Sequence, residues 1–194
     1  MLGVLISGSG SNLQSLIDNN IDISVVISSS EDAYGLTRCK KQNIDCYFEN
    51  NEEKMIKILK SKNVKLVVLA GYLKIISKRF LENFTVINIH PSLIPSFCGK
   101  GFYGMNVHKS VYESGVRITG ATVHFVDSGV DTGNIIMQKS CEVNSFDDEV
   151  SIQKKVLKIE HDILPKTVKL FLENKIEVIN NRVYIKGEED ESIN

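Results

Sequence analysis

The chain has 194 residues, 42% hydrophobic and 24% charged, which suits one globular domain with its own core and is short for two. Its 23 basic and 24 acidic side chains leave a formal net charge of −1, so it lacks the electrostatic footprint of a nucleic-acid or anionic-membrane binder. No apolar run approaches the ~20 residues of a membrane span, and "MLGVLISGSGSN" lacks the basic and apolar regions of a signal peptide, so a cytoplasmic protein is expected.

Short apolar runs alternate with amphipathic stretches through the first ninety residues. "GVLIS" reads as a strand and "NLQSLIDNN" as a helix beginning at its cap, followed by the strand "ISVVISS" and the helix "AYGLTRCKKQ". "DCYF" is a brief third strand, "EEKMIKILKSK" a helix, and "KLVVLAGY" a fourth strand whose composition suits burial on both faces. "SKRFLEN" follows as a short serine-capped helix, then "TVINIH" as the fifth strand. This alternation predicts an α/β fold, a doubly wound, Rossmann-like, mostly parallel sheet with helices on both faces.

From Pro91 to Gly104, two prolines and three glycines end the pattern and predict a loop. "MNVHKSVYESG" is helical to Gly115. "TGATVHFVD" and "NIIMQKSCEV" are strands joined through "SGVDTG" by a hairpin or wide loop. The helical pattern from Asp147 to Asn174 contains Pro165, which should kink or split it. "IEVINNRVYI" reads as a hairpin turning at Asn180-Asn181. A single domain over 1–186 is expected, with an acidic, disordered tail over 187–194. Cys39, Cys46, Cys98 and Cys141 form no C-x-x-C pair, which argues against a disulfide framework or a zinc site.

Two places carry candidate chemistry. In "ISGSGSNLQ", Gly8 and Gly10 permit a sharp turn and close backbone approach to a ligand, and Ser11 and Asn12 can cap the next helix. Exposed N–H groups at a helix start suit a phosphate. The dinucleotide fingerprint fails, because its third glycine would fall at Leu13, and no P-loop lysine follows. A plain glycine turn with an ordinary cap remains open on this stretch alone.

The second is "VINIHPSLIP". Strand alternation points Asn88 and His90 to one face and Ile89 to the other, and Pro91 turns the chain at the carboxyl edge of the sheet, where α/β folds bind ligands. An amide and an imidazolium aimed at one point can donate hydrogen bonds to a developing oxyanion; they can equally satisfy backbone groups where strand meets loop. Among carboxylates, Asp131 is placed to reach His90, raise its pKa and keep it protonated, whereas Asp127 suits a turn cap. His124 is read as structural, and neither His108 nor His161 belongs to a metal-binding pair.

Taken together, "LISGSGSN", "NIHPSLIP" and "GATVHFVDSGVDTG" resemble the glycinamide ribonucleotide transformylase family of folate-dependent formyltransferases, in the family's order and spacing from Val4 to about Leu172. The resemblance implies formyl transfer from 10-formyltetrahydrofolate, a co-substrate, to 5'-phosphoribosylglycinamide in purine biosynthesis, without a metal, by a monomer or homodimer. It further implies that Asn88, His90 and Asp131 are catalytic and that Gly10, Ser11 and Asn12 hold the substrate phosphate. Leu157, Lys158, Ile159 and Glu160 would contact the ribose. Leu73, Lys74, Ile75, Ile76 and Asn88 would contact the folate, with Asp127, Ser128, Gly129, Val130 and Asp131 wrapping its pteridine. Cys98 stands where a proline is usual, and the family's arginine near the folate tail has no evident counterpart. A methionyl-tRNA formyltransferase should carry a further C-terminal domain and a formyltetrahydrofolate hydrolase a further N-terminal one. A non-catalytic nucleotide-binding module draws its support from the glycine loop alone.

Overall fold

In the computed structural model, which describes residues 1–187, the strands are β1 (Leu2–Ile6), β2 (Ile23–Ser28), β3 (Cys46–Phe48), β4 (Leu66–Leu69), β5 (Thr85–His90), β6 (Ile118–Phe125) and β7 (Ile135–Glu142). They form one seven-stranded sheet in the order β3-β2-β1-β4-β5-β6-β7. The pairs from β3 to β5 are parallel, and β6 and β7 add as an antiparallel edge. The helices are α1 (Ser11–Asp18), α2 (Tyr34–Lys41), α3 (Glu52–Ser61), α4 (Lys78–Leu81), α5 (Met105–Ser114) and α6 (Glu149–Leu172). The acidic tail expected over 187–194 lies, from residue 188 onward, outside the described residues.

The apolar runs become two core layers. Leu13 and Leu16 of α1, Cys39 of α2, Val111 of α5 and the buried face of α6 pack with Val4, Ile6, Ile87 and Ile89 on one face of the sheet. Met55 and Leu59 of α3 and Phe80 of α4 pack with Leu5, Val67 and Val86 on the other. The central strands are greasy at every position because both faces are covered: each residue of β1 and β4 is buried. In β5 the alternation places Ile87 and Ile89 in one layer and Val86 in the other, so Asn88 and His90 follow Val86 toward the carboxyl edge.

Capping explains several boundaries. Asn51 accepts from the Lys54 N–H to open α3, Ser77 accepts from Phe80 N–H to open α4, and left-handed Gly115 closes α5. The first helix departs from expectation. Its N-cap is Gly10 (φ 68°), without a side-chain cap, and Ser11 and Asn12 lie inside the first turn. Pro165 neither ends nor splits α6, which runs unbroken for 24 residues. Ile163, Leu164, Pro165 and Val168 are buried together in the packed helix, and that burial outweighs one missing backbone hydrogen bond. Asn180 and Asn181, both at positive φ, turn the hairpin of β8 (Ile176–Ile179) and β9 (Arg182–Ile185), as the Asn-Asn pair suggests.

Candidate active site

The strand order reverses direction between β1 and β4, opening a crevice at the carboxyl ends of the sheet. Two adjoining cavities occupy it. The smaller, about 200 Å³, is lined by Gly8 to Asn12 with Ala70, Gly71 and Leu73. The larger, about 320 Å³, is lined on one side by Leu73, Lys74, Ile75 and Ile76. Asn88, His90, Asp127, Gly129, Val130 and Asp131 line it as well. Gly71 and Leu73 belong to both walls, so a ligand in one cavity abuts a ligand in the other.

The sequence-designated residues converge at the far wall. His90 Nδ1 stands 3.5 Å from Asp131 Oδ2, and its Nε2–H donates to the Phe97 carbonyl at 2.9 Å. Asp131 sits at φ 58° in the loop after β6 and takes the Gly99 N–H at 2.9 Å, tying the Pro91–Gly104 loop to the β6–β7 loop. Asp127 caps its own turn, as expected, accepting from the Gly129 N–H (2.9 Å) and the Thr132 hydroxyl (2.6 Å). Leu73 and Ile75 are strongly exposed at the mouth, an apolar surface suited to a flat heterocycle, while Ile76 anchors the segment in the core.

His124 was underestimated from sequence. It lies opposite Asn88 in the β5–β6 register, with its Nε2 3.2 Å from Asn88 Nδ2 and 3.6 Å from Asp131 Oδ1. Its Nδ1–H donates to the Phe125 carbonyl at 2.8 Å, which fixes the ring. The alternation Thr122-His124 was visible, but only the antiparallel pairing of β5 with β6 puts that face beside Asn88.

Of the α6 segment, Glu160 alone reaches the glycine loop, where Asn12 Nδ2 donates to its Oε2 at 2.6 Å. Ile159 packs in the core, Lys158 is exposed, and Leu157 to Ile159 line neither cavity. The helical twist of about 100° per residue separates these four directions. Ser128 also lies outside the lining of the larger cavity. Among the described residues, no group of three or more His, Cys, Asp and Glu side chains is arranged to hold a metal ion, and no helix is long and apolar enough to cross a membrane.

Residues 2–168 match the formyl transferase family. The chain belongs to that family. It is 36% identical to phosphoribosylglycinamide formyltransferase of Haemophilus influenzae, over 96% of this chain and 93% of that one. It is 34% identical to the chloroplastic phosphoribosylglycinamide formyltransferase of Vigna unguiculata, over 90% of this chain, and spans 62% of that protein's length. The crystal structure of phosphoribosylglycinamide formyltransferase from Anaplasma phagocytophilum superposes with a TM-score of 0.89 at 35% identity, covering 97% of this chain and 94% of that chain.

Electrostatics refine how this family member presents its groups. Burial pushes the His90 imidazole below its ordinary value; the Phe97 carbonyl and Asp131 pull it up and His124 pushes it down, leaving the net direction unchanged. Asp131 itself is pushed up by burial, yet His124 at 3.6 Å, the Gly99 N–H and the His90 imidazole together hold it below the usual carboxylate range. Burial and Asp131 thus pull His90 in opposite directions, with burial the stronger.

Burial pushes Glu160 up to about 7, with the Asn12 hydrogen bond acting the other way. A carboxyl raised in the folded state binds its proton more tightly there than in the unfolded chain. Stability from this group therefore falls as pH rises from the ordinary Glu range through about 7. Glu160→Gln is expected to stabilise the unliganded protein at pH 8 by up to about 3 kcal/mol and to change it little near pH 4.5. Denaturant unfolding at both pH values checks this; an equal difference at the two would contradict it.

Proposed function

We propose that the protein transfers the formyl group of 10-formyltetrahydrofolate to the amine of 5'-phosphoribosylglycinamide, releasing tetrahydrofolate. The observation that carries this reading is the meeting of Asn88, His90 and Asp131 at the wall of a cavity that adjoins an N–H-rich glycine loop. Family membership and the names borne by its relatives support the same chemistry.

The ribonucleotide lies with its phosphate at Gly10, Ser11 and Asn12 and its ribose hydroxyls toward Glu160. The folate packs on Leu73 to Ile76 and under the Asp127–Asp131 turn. The substrate amine attacks the formyl carbon, a C–N bond forms, and the carbonyl oxygen becomes an oxyanion. Asn88 donates to that oxyanion through its amide, and His90 through the Nε2–H that Phe97 holds in the free protein, once the 91–104 loop yields. The charge on the oxyanion and that on Asp131 both favour the imidazolium, so His90 donates from Nε2 with its second proton held on Nδ1 beside Asp131 and no net proton taken up in the step. Collapse breaks the bond to folate N10, and the proton lost by the amine passes to that nitrogen with Asp131's help. Two substrates held in one crevice supply proximity and orientation without a covalent intermediate. A single domain over 1–186, working in the cytoplasm as a monomer or homodimer, completes the proposal.

Mixing the protein with 10-formyltetrahydrofolate, with and without the ribonucleotide, and following folate absorbance is the direct test. Turnover that requires both substrates is expected. Turnover without the ribonucleotide would make the protein a hydrolase, and none with both would leave it a binding module.

A further inference from the structure

Helix α2 lies behind the glycine loop, opposite its cavity, and grips it at two consecutive carbonyls. The Gly35 N–H donates to Gly8 O at 3.1 Å, and Arg38 Nε donates to Ser9 O at 2.9 Å. The contact is close enough that a Cβ on Gly10 would stand 2.8 Å from Gly35 Cα. Arg38 is itself held: its Nη1 donates to Gln14 Oε1 at 2.9 Å, and the guanidinium lies 5.0 Å from the centroid of the Tyr34 ring. Gln14 passes the contact on, donating to Asp18 at 2.8 Å, so the guanidinium meets an amide rather than a carboxylate there.

A trans peptide points its C=O and N–H in opposite directions. Drawing the carbonyls of Gly8 and Ser9 toward α2 therefore turns the N–H groups of Ser9 and Gly10 away from it. Neither N–H meets a backbone acceptor among the described residues, and both residues line the smaller cavity while Gly35 and Arg38 do not. Two successive N–H groups aimed into one hollow make an anion nest, and the positive charge of Arg38 lies directly behind it.

From this we infer that Arg38 is a positioning residue for the substrate phosphate: it holds the Ser9–Gly10 peptide with its N–H toward the anion and supplies charge from behind the loop. The inference rests on the reading of Gly10 to Asn12 as the phosphate site. Its geometry explains why an Arg suits α2: one planar guanidinium donates to the loop from Nε and to Gln14 from Nη1 while lying over an aromatic ring, a fixed fork that a point-like ammonium does not offer.

The test compares glycinamide ribonucleotide with its dephosphorylated ribonucleoside as formyl acceptors, in the wild type, Arg38→Met and Arg38→Lys. The wild type is expected to prefer the ribonucleotide. Arg38→Met should raise KM for the ribonucleotide roughly tenfold, as for loss of one charge-assisted hydrogen bond. KM for the ribonucleoside, KM for the folate and kcat should stay within about twofold, a split that general loosening of the fold would not produce. Arg38→Lys should raise the ribonucleotide KM roughly threefold, since charge survives and the forked contact does not. A preference for the ribonucleotide that survives intact in Arg38→Met overturns the role of Arg38 and leaves the phosphate site standing. A wild type without such a preference removes both. Should Arg38→Met not fold, Arg38→Lys decides alone, and a ribonucleotide KM within twofold of the wild type overturns the inference.

Discussion

Asn88→Ala and His90→Ala are each expected to lower kcat by about 10²-fold or more, because each removes one hydrogen-bond donor from the developing oxyanion, and one such donor is worth about 2.7–4 kcal/mol of barrier. The KM values should move much less, since the ground-state carbonyl gains little from donors placed for the tetrahedral state. Folding need not suffer to the same degree. His90 is nearly buried, and its loss strips the Phe97 carbonyl of a donor, which costs on the order of 1–3 kcal/mol; Asn88 is only half-buried, and its loss frees His124 Nε2 from one contact. Circular dichroism and thermal unfolding separate the two effects. Near-normal kcat in both well-folded variants would sink the assignment of these residues.

Asp131→Asn should be comparably damaging to turnover, about 10²-fold in kcat, and only modestly destabilising at neutral pH, through loss of a carboxylate whose pKa the fold lowers. Asp131 occupies left-handed backbone at φ 58°, a conformation that Asn adopts as readily as Asp. The amide oxygen can still accept the Gly99 N–H that ties the two loops together. What disappears is the negative charge, and with it the pull that opposes burial at His90. An imidazole already held low by desolvation then becomes harder to protonate, so the rate should drop furthest on the alkaline side of the profile. A well-folded Asp131→Asn enzyme with a wild-type rate across the pH range would show that the carboxylate plays no part in the proton's path.

Several elements were legible because their signals are local. Strand–helix alternation over the first ninety residues specifies the parallel sheet, since two-faced burial demands continuous apolar runs such as those of β1 and β4. The serine before Lys78 and the Asn-Asn pair of the β8–β9 turn declare themselves through side-chain and backbone preferences that act within three residues. Period-two alternation likewise puts Asn88 and His90 on one face of β5 before any contact is known. Other features were hidden because they depend on partners distant in sequence. Pro165 reads locally as a break, and only the burial of its neighbours in the packed α6 shows that the helix continues. His124 reads as an interior strand residue until the β5–β6 register sets it across from Asn88.

By itself, then, the sequence determined the class of fold, the carboxyl-edge position of its polar pair and the glycine turn after β1, all consequences of short-range sterics and hydrophobic periodicity. The tertiary structure decided the rest: that Asp131 reaches His90 within 3.5 Å, that His124 joins them, that Glu160 meets Asn12 across 148 positions of chain, and that α2 grips the glycine loop from behind. It also decided the direction in which His90 is pulled, because desolvation depends on how deeply the folded chain encloses a group, and for His90 that enclosure outweighs the carboxylate beside it.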